Sequence, residues 1–200
     1  MKKYSIILAF LCTSFIAQSQ ISIGIKAGIN VSKLITADDN LLNDGYRSGF
    51  VGGAYVNIGW GSMYIQPELI FSQKGGNLKY KVAGLSADFT RDINSFDVPV
   101  LLGFRFGDET KFRVNAGPVF SFLASAKQDS ESRYKDALSG TSVGAQLGIG
   151  FDIYNFAIDL RYEIGLSGVG KNSYVVGSQT FKTNDSVSLF QLTLGYKISN

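Results

Sequence analysis

Histidine is absent from this 200-residue chain. A serine nucleophile activated by histidine and a carboxylate is therefore excluded, as is any metal site that needs an imidazole ligand. Cysteine occurs once, at Cys12, within an apolar N-terminal run. Leu11 precedes it where a lipoprotein anchor needs a small residue, so Cys12 reads as part of that run. No disulfide or thiolate cluster is possible beyond it. Proline is scarce, at 3 residues. The formal net charge is only +3, and no basic patch interleaved with aromatics appears, which excludes a nucleic-acid partner. No second domain and no helix-period segment is visible.

The single continuous apolar run, Ile6 to Ile16, is too short for a stable membrane-spanning helix. Lys2 and Lys3 precede it, and Ala17, Gln18 and Ser19 place small residues at the −3 and −1 positions of a cleavage site before Gln20. Residues 1–19 are expected to be a cleaved signal peptide and 20–200 the functional domain. Loss of the two lysines would take the 19 basic residues to 17 against 16 acidic, a nearly neutral mature chain.

Glycine is frequent at 23, and phenylalanine and tyrosine contribute 15 and 10. This mixture favours sheet and tight turns. From Ile21 to Val31 every odd position is apolar and every even position small or polar. Period two marks a strand with one face of each kind. Seven more segments repeat the pattern, near 48–60, 63–74, 96–106, 112–122, 143–153, 156–166 and 190–198. The expected fold is all-β: an eight-stranded antiparallel up-and-down transmembrane β-barrel. Pro67 lacks an N–H for the ladder, so a bulge or an unpaired position is expected there.

The apolar faces carry no charge, whereas the opposite faces hold Lys26, Glu68, Asp97, Arg105, Arg113, Asp152, Asp159, Arg161, Glu163 and Lys197. A charge on the lipid face at mid-membrane costs about 2–4 kcal/mol, so these ten must point inward. Five are basic and five acidic, as a lumen of interleaved ion pairs requires. Eight strands leave a bore only wide enough for side chains to fill. Asp159 and Glu163 flank Arg161 on one face, which fits a salt-bridge cluster better than an acid/base pair. Neither enzymatic activity nor a cofactor is expected. Inward glycines such as Gly103, Gly148 and Gly150 leave room for larger side chains opposite.

Trp60, Tyr64, Phe106, Phe112, Tyr154, Phe156 and Tyr196 cluster near short turns at Gly61, Asp108 and Asn155. They read as an aromatic girdle at one membrane interface. Long polar connections at 33–47, 75–92, 125–141 and 168–186 alternate with those turns. Short turns are periplasmic and long loops extracellular in outer-membrane barrels, which would place both termini in the periplasm.

Four ordered motifs carry a family resemblance. The strand Gln66–Gly75 (QPELIFSQKG), the strand Asp97–Leu102 (DVPVLL), Ala116–Ser121 (AGPVFS) and Leu160–Leu166 (LRYEIGL) resemble the characteristic strands of PorT-like outer-membrane β-barrel proteins. Gly24–Asn30 fits as well. The resemblance implies a small porin-like barrel of a Gram-negative outer membrane. One branch of that family serves a secretion system. No functional site is carried over, since the motif residues look structural.

The expected role is a surface-exposed scaffold or binding protein acting through its four long loops, since loops on a rigid frame commonly carry function. The acidic Asp38 and Asp39, with Asn40, lack the ligand spacing of a calcium loop. A narrow channel for small solutes and a component of a secretion or assembly system are the alternatives. Outer-membrane lipid is the expected surrounding, an extracellular or periplasmic protein the expected partner, and the barrel a monomer.

Overall fold

The computed structural model describes residues 20–35, 41–82, 85–128, 140–167, 174–176, 179–181 and 186–199. The expected signal peptide, residues 1–19, lies outside these. Among the described residues no helix occurs. The strands are β1 (Gln20–Ile35), β2 (Leu41–Gly45), β3 (Arg47–Trp60), β4 (Met63–Val82), β5 (Leu85–Phe106), β6 (Thr110–Gln128), β7 (Thr141–Ile153), β8 (Phe156–Gly165), β9 (Tyr174–Val176), β10 (Gln179–Phe181) and β11 (Ser186–Ser199).

Eight of these form the wall, in the order β1, β3, β4, β5, β6, β7, β8, β11, with every neighbour antiparallel. The β1–β11 pairing joins the first strand to the last and closes the sheet, so no wall strand keeps a free edge at mid-height. The fold is the closed eight-stranded antiparallel barrel that the alternation predicts.

The burial pattern follows the same period. Along β8 the residues Ala157, Asp159, Arg161 and Glu163 are buried, while Phe156, Ile158, Leu160 and Ile164 are exposed on the outside. This inverts a soluble protein. The polar face is the interior, and the apolar face looks outward, where hydrocarbon solvates it.

Three tight turns close one end. Gly61 (φ 58°) and Gly107 (φ 96°) supply left-handed backbone that other residues resist. At the third, Tyr154 adopts φ 53° as the first residue of a two-residue hairpin, the position where a primed turn demands it.

The prolines interrupt pairing without shifting it. The β3–β4 register is the same on both sides of Pro67, from Tyr55 opposite Glu68 to Ile58 opposite Ile65. The expected disturbance is thus an unpaired position and not a bulge. A slip would turn the charged face of β4 into lipid.

The long connections differ from the expectation. Residues 75–82 and 85–92 are strand, because β4 and β5 stay paired from Met63 opposite Phe104 to Val82 opposite Leu85. Strand β2 pairs onto β4 within the first connection, and β9 and β10 form a hairpin within the last. Outside the membrane both faces of a strand can be polar, so period-two contrast fades although the backbone ladder continues. The third connection lies mostly outside the described residues.

Candidate functional site

The chemistry of this chain is gathered in the lumen. Strands β4 and β8 lie half-way round the barrel from each other. Their inward side chains therefore meet across the bore. Arg161 on β8 grips Glu68 on β4 through a two-pronged fork, Nη1 to Oε2 and Nη2 to Oε1, both 2.9 Å. Both side chains are 0% exposed. Parallel N–H···O bonds of this kind are the strongest a carboxylate makes with arginine.

Around that fork the charges alternate. Lys26 Nζ reaches Glu68 (2.9 Å) and Asp159 (3.2 Å). Asp159 also accepts from Arg113 Nη2 (2.9 Å), and Arg113 Nε lies 2.9 Å from Asp152. Each buried ion thus faces opposite charge, which offsets a desolvation cost of several kcal/mol per ion. On the side toward the long loops, Lys74 of β4 sits 2.8 Å from Asp97 and 2.8 Å from Glu163. Gln146 joins the two groups, accepting from Arg161 (3.3 Å) and donating to Glu163 (3.1 Å).

Seven of the ten expected lumenal residues are buried: Lys26, Glu68, Asp97, Arg113, Asp159, Arg161 and Glu163. Arg105, Asp152 and Lys197 are half-buried toward the short-turn end. Arg105 and Lys197 make no ion pair among the described residues. Lys74, on the alternating inward face of Gln66 and Glu68, joins the ten expected lumenal charges. The sequence reading missed Gln146, which the β7–β8 hairpin sets directly opposite Glu163.

Tyr64 is a correction. It points into the lumen, 0% exposed, and its hydroxyl accepts from Asn115 Nδ2 (3.1 Å). Its parity on β4 is that of Gln66 and Glu68, so proximity to a turn misled where alternation did not. Gly103 makes the space, since a Cβ there would lie 2.3 Å from the Tyr64 ring. The remaining girdle residues Trp60, Phe106, Phe112, Tyr154, Phe156 and Tyr196 sit on or beside the short turns. Phe106, Phe112 and Phe151 form a run of ring contacts, and Phe156 packs edge-on against Tyr196 at 5.4 Å.

Apolar residues complete the filling. Leu101 and Val119 are fully buried on the inward face. The lumen keeps free volumes of only ≈ 30 Å³ beside Lys74 and Glu163 and ≈ 20 Å³ beside Arg113 and Asp152, space for one or two waters at about 10–15 Å³ each. Among the described residues the arrangement is a packed ionic core.

A closed barrel of eight strands with its charges inside and an uncharged apolar exterior defines an outer-membrane barrel protein. Comparison of the sequence with known families agrees: the model of the outer membrane protein beta-barrel domain matches residues 16–171, and the chain belongs to that family. No curated protein sequence matches it. Among solved structures, the outer membrane protein OprG from Pseudomonas aeruginosa is similar in fold, with a TM-score of 0.56 at 13% identity, covering 90% of this chain and 96% of that one. Neisserial surface protein A gives 0.51 at 14% identity, covering 90% and 99%.

Proposed function

We propose that this protein is a non-enzymatic, monomeric outer-membrane scaffold that presents its long connections at the cell surface and keeps its termini in the periplasm. The observation that carries this reading is the Glu68–Arg161 fork, which crosses the bore with both partners fully buried. A lumen so filled conducts no solute. Function then moves to what projects from the rigid wall.

The β4–β5 hairpin supports the same reading. Its pairing runs on past Lys74 to Val82 and Leu85, which at about 3.3 Å per residue carries the ladder roughly 26 Å along the strand beyond Lys74. Strand β2 adds a third strand to this extension. The four ordered strand motifs support a reading of the chain as a PorT-like small barrel. The binding partner is a protein met at the long-loop side.

Heat-modifiable gel mobility with single-channel recording on the same sample tests the reading. A mobility shift without conductance is expected. A steady conductance would overturn it and make solute passage the leading function. Orientation is tested in intact cells: Tyr46→Cys, exposed between β2 and β3, should react with an impermeant maleimide, and Asn155→Cys should not.

A further inference from the structure

The three lumenal arginines are not treated alike. Arg161 and Arg113 each face two carboxylates. Arg105 faces none within ion-pair distance among the described residues, yet its position is built with equal care. Its guanidinium lies over the Tyr64 ring, 5.0 Å from the centroid. Its Nη2 donates to Asn57 Oδ1. Gly59 leaves it room, since a Cβ there would approach Nη2 to 2.5 Å. The Arg105 backbone N–H donates to Ser62 O (2.7 Å) at the first turn. Its Nε is buried with no hydrogen-bond acceptor among the described residues, as is that of Arg161.

Lys197 and Lys111 line the same open cavity of ≈ 720 Å³ at the short-turn mouth, with Ser22 and Asn155. The Lys197 backbone N–H donates to Asn155 O (2.8 Å), which fixes β11 against the third turn. Neither lysine has an ion-pair partner among the described residues. Asp152, which shares a smaller lumenal cavity with Arg105 and Lys197, is held by Arg113, while Asp108 and Glu109 sit exposed in the second turn and do not line the mouth cavity. A placed arginine and two ammonium groups, none with a carboxylate partner among the described residues, around one cavity form a receptor for a multiply charged oxyanion.

The geometry points to a phosphate-binding site at the short-turn mouth, formed by Arg105, Lys111 and Lys197. The phosphate comes from a phospholipid headgroup of the adjoining leaflet or from a phosphorylated solute. This site does not depend on the surface-scaffold reading and survives its failure.

The full-length mature barrel in maltoside detergent is titrated with inorganic phosphate at constant ionic strength, following arginine Nε–Hε resonances. Saturable movement of the Arg105 signal is expected, with Arg161 unmoved. Arg105→Gln and Lys197→Gln should each weaken phosphate binding roughly tenfold, the loss of one charge-assisted bond, while keeping heat-modifiable mobility. Lys197→Gln keeps the test decisive if Arg105→Gln does not fold. Native mass spectrometry after passage through phosphatidylglycerol membranes separates the sources. Lipid carried by wild type and lost from Lys197→Gln assigns the headgroup, and phosphate binding without carried lipid assigns a solute. Movement that follows ionic strength alone, or equal binding by both variants, overturns the proposal.

Discussion

Arg161 and Glu68 stand 93 residues apart in sequence and close a two-pronged ion pair across the full width of the barrel. A second strap, Lys74 to Glu163 at 2.8 Å, joins the same two strands with its polarity reversed. Opposite walls are therefore clamped by charge at two heights, and a swap of partners between the levels would set like against like.

The first prediction concerns the lower strap. Glu68→Ala leaves Arg161 and Lys26 buried with Asp159 as their shared carboxylate. Breaking one side of a buried pair costs about 3–5 kcal/mol. Urea unfolding in vesicles, read by the fluorescence of the single tryptophan Trp60, should show that loss.

The upper strap permits a charge exchange. Lys74→Glu alone would gather three carboxylates, with Asp97 and Glu163, and should abolish folding or lower the unfolding midpoint steeply. Adding Glu163→Lys restores an opposite pair across the bore. Recovery of at least half the lost midpoint is expected; a double variant no better than the single one would show that the strap carries little stability.

Space at Gly103 is a third target. Gly103→Ala drives a methyl group into the Tyr64 ring and displaces the Asn115 hydrogen bond, at a cost of about 1–3 kcal/mol for overpacking. Tyr64→Leu in the same chain should return most of it. An equal loss in single and double variants would locate the cost in the backbone.

Depth along the lipid face gives a fourth. Leu147 lies midway along β7 and Ile153 at its short-turn end, both outward. Leu147→Arg should destabilise by about 2–4 kcal/mol and Ile153→Arg by about 0–1 kcal/mol. Equal penalties at the two positions would contradict the assigned membrane level.

The third turn yields a fifth. Tyr154 holds φ 53° with its side chain 90% exposed. Tyr154→Gly relieves the backbone at a cost in interfacial anchoring. Faster folding with weaker partitioning into lipid is expected from stopped-flow insertion measurements.

Much of this barrel was legible in the chain alone. The period-two contrast survives wherever one face meets lipid and the other the lumen, so eight strands, their inward charges and their turns could be read residue by residue. Residue parity even identifies Tyr64 and Lys74 as lumenal. The sequence failed where that contrast fades. Beyond the membrane, in residues 75–92, no lipid selects one face, and a paired hairpin looks like a polar connection.

What the linear order determined is which side chains face inward, because alternation is a local property of extended backbone. What only closure decided is who meets whom. Strands β4 and β8 become opposite through the stagger and number of the wall strands, and that placement alone brings Glu68 to Arg161 and Lys74 to Glu163. It also leaves Arg105 without an ion-paired carboxylate among the described residues. Charge balance can be counted along a chain, but the distances that turn it into bonds exist only once the sheet has closed on itself.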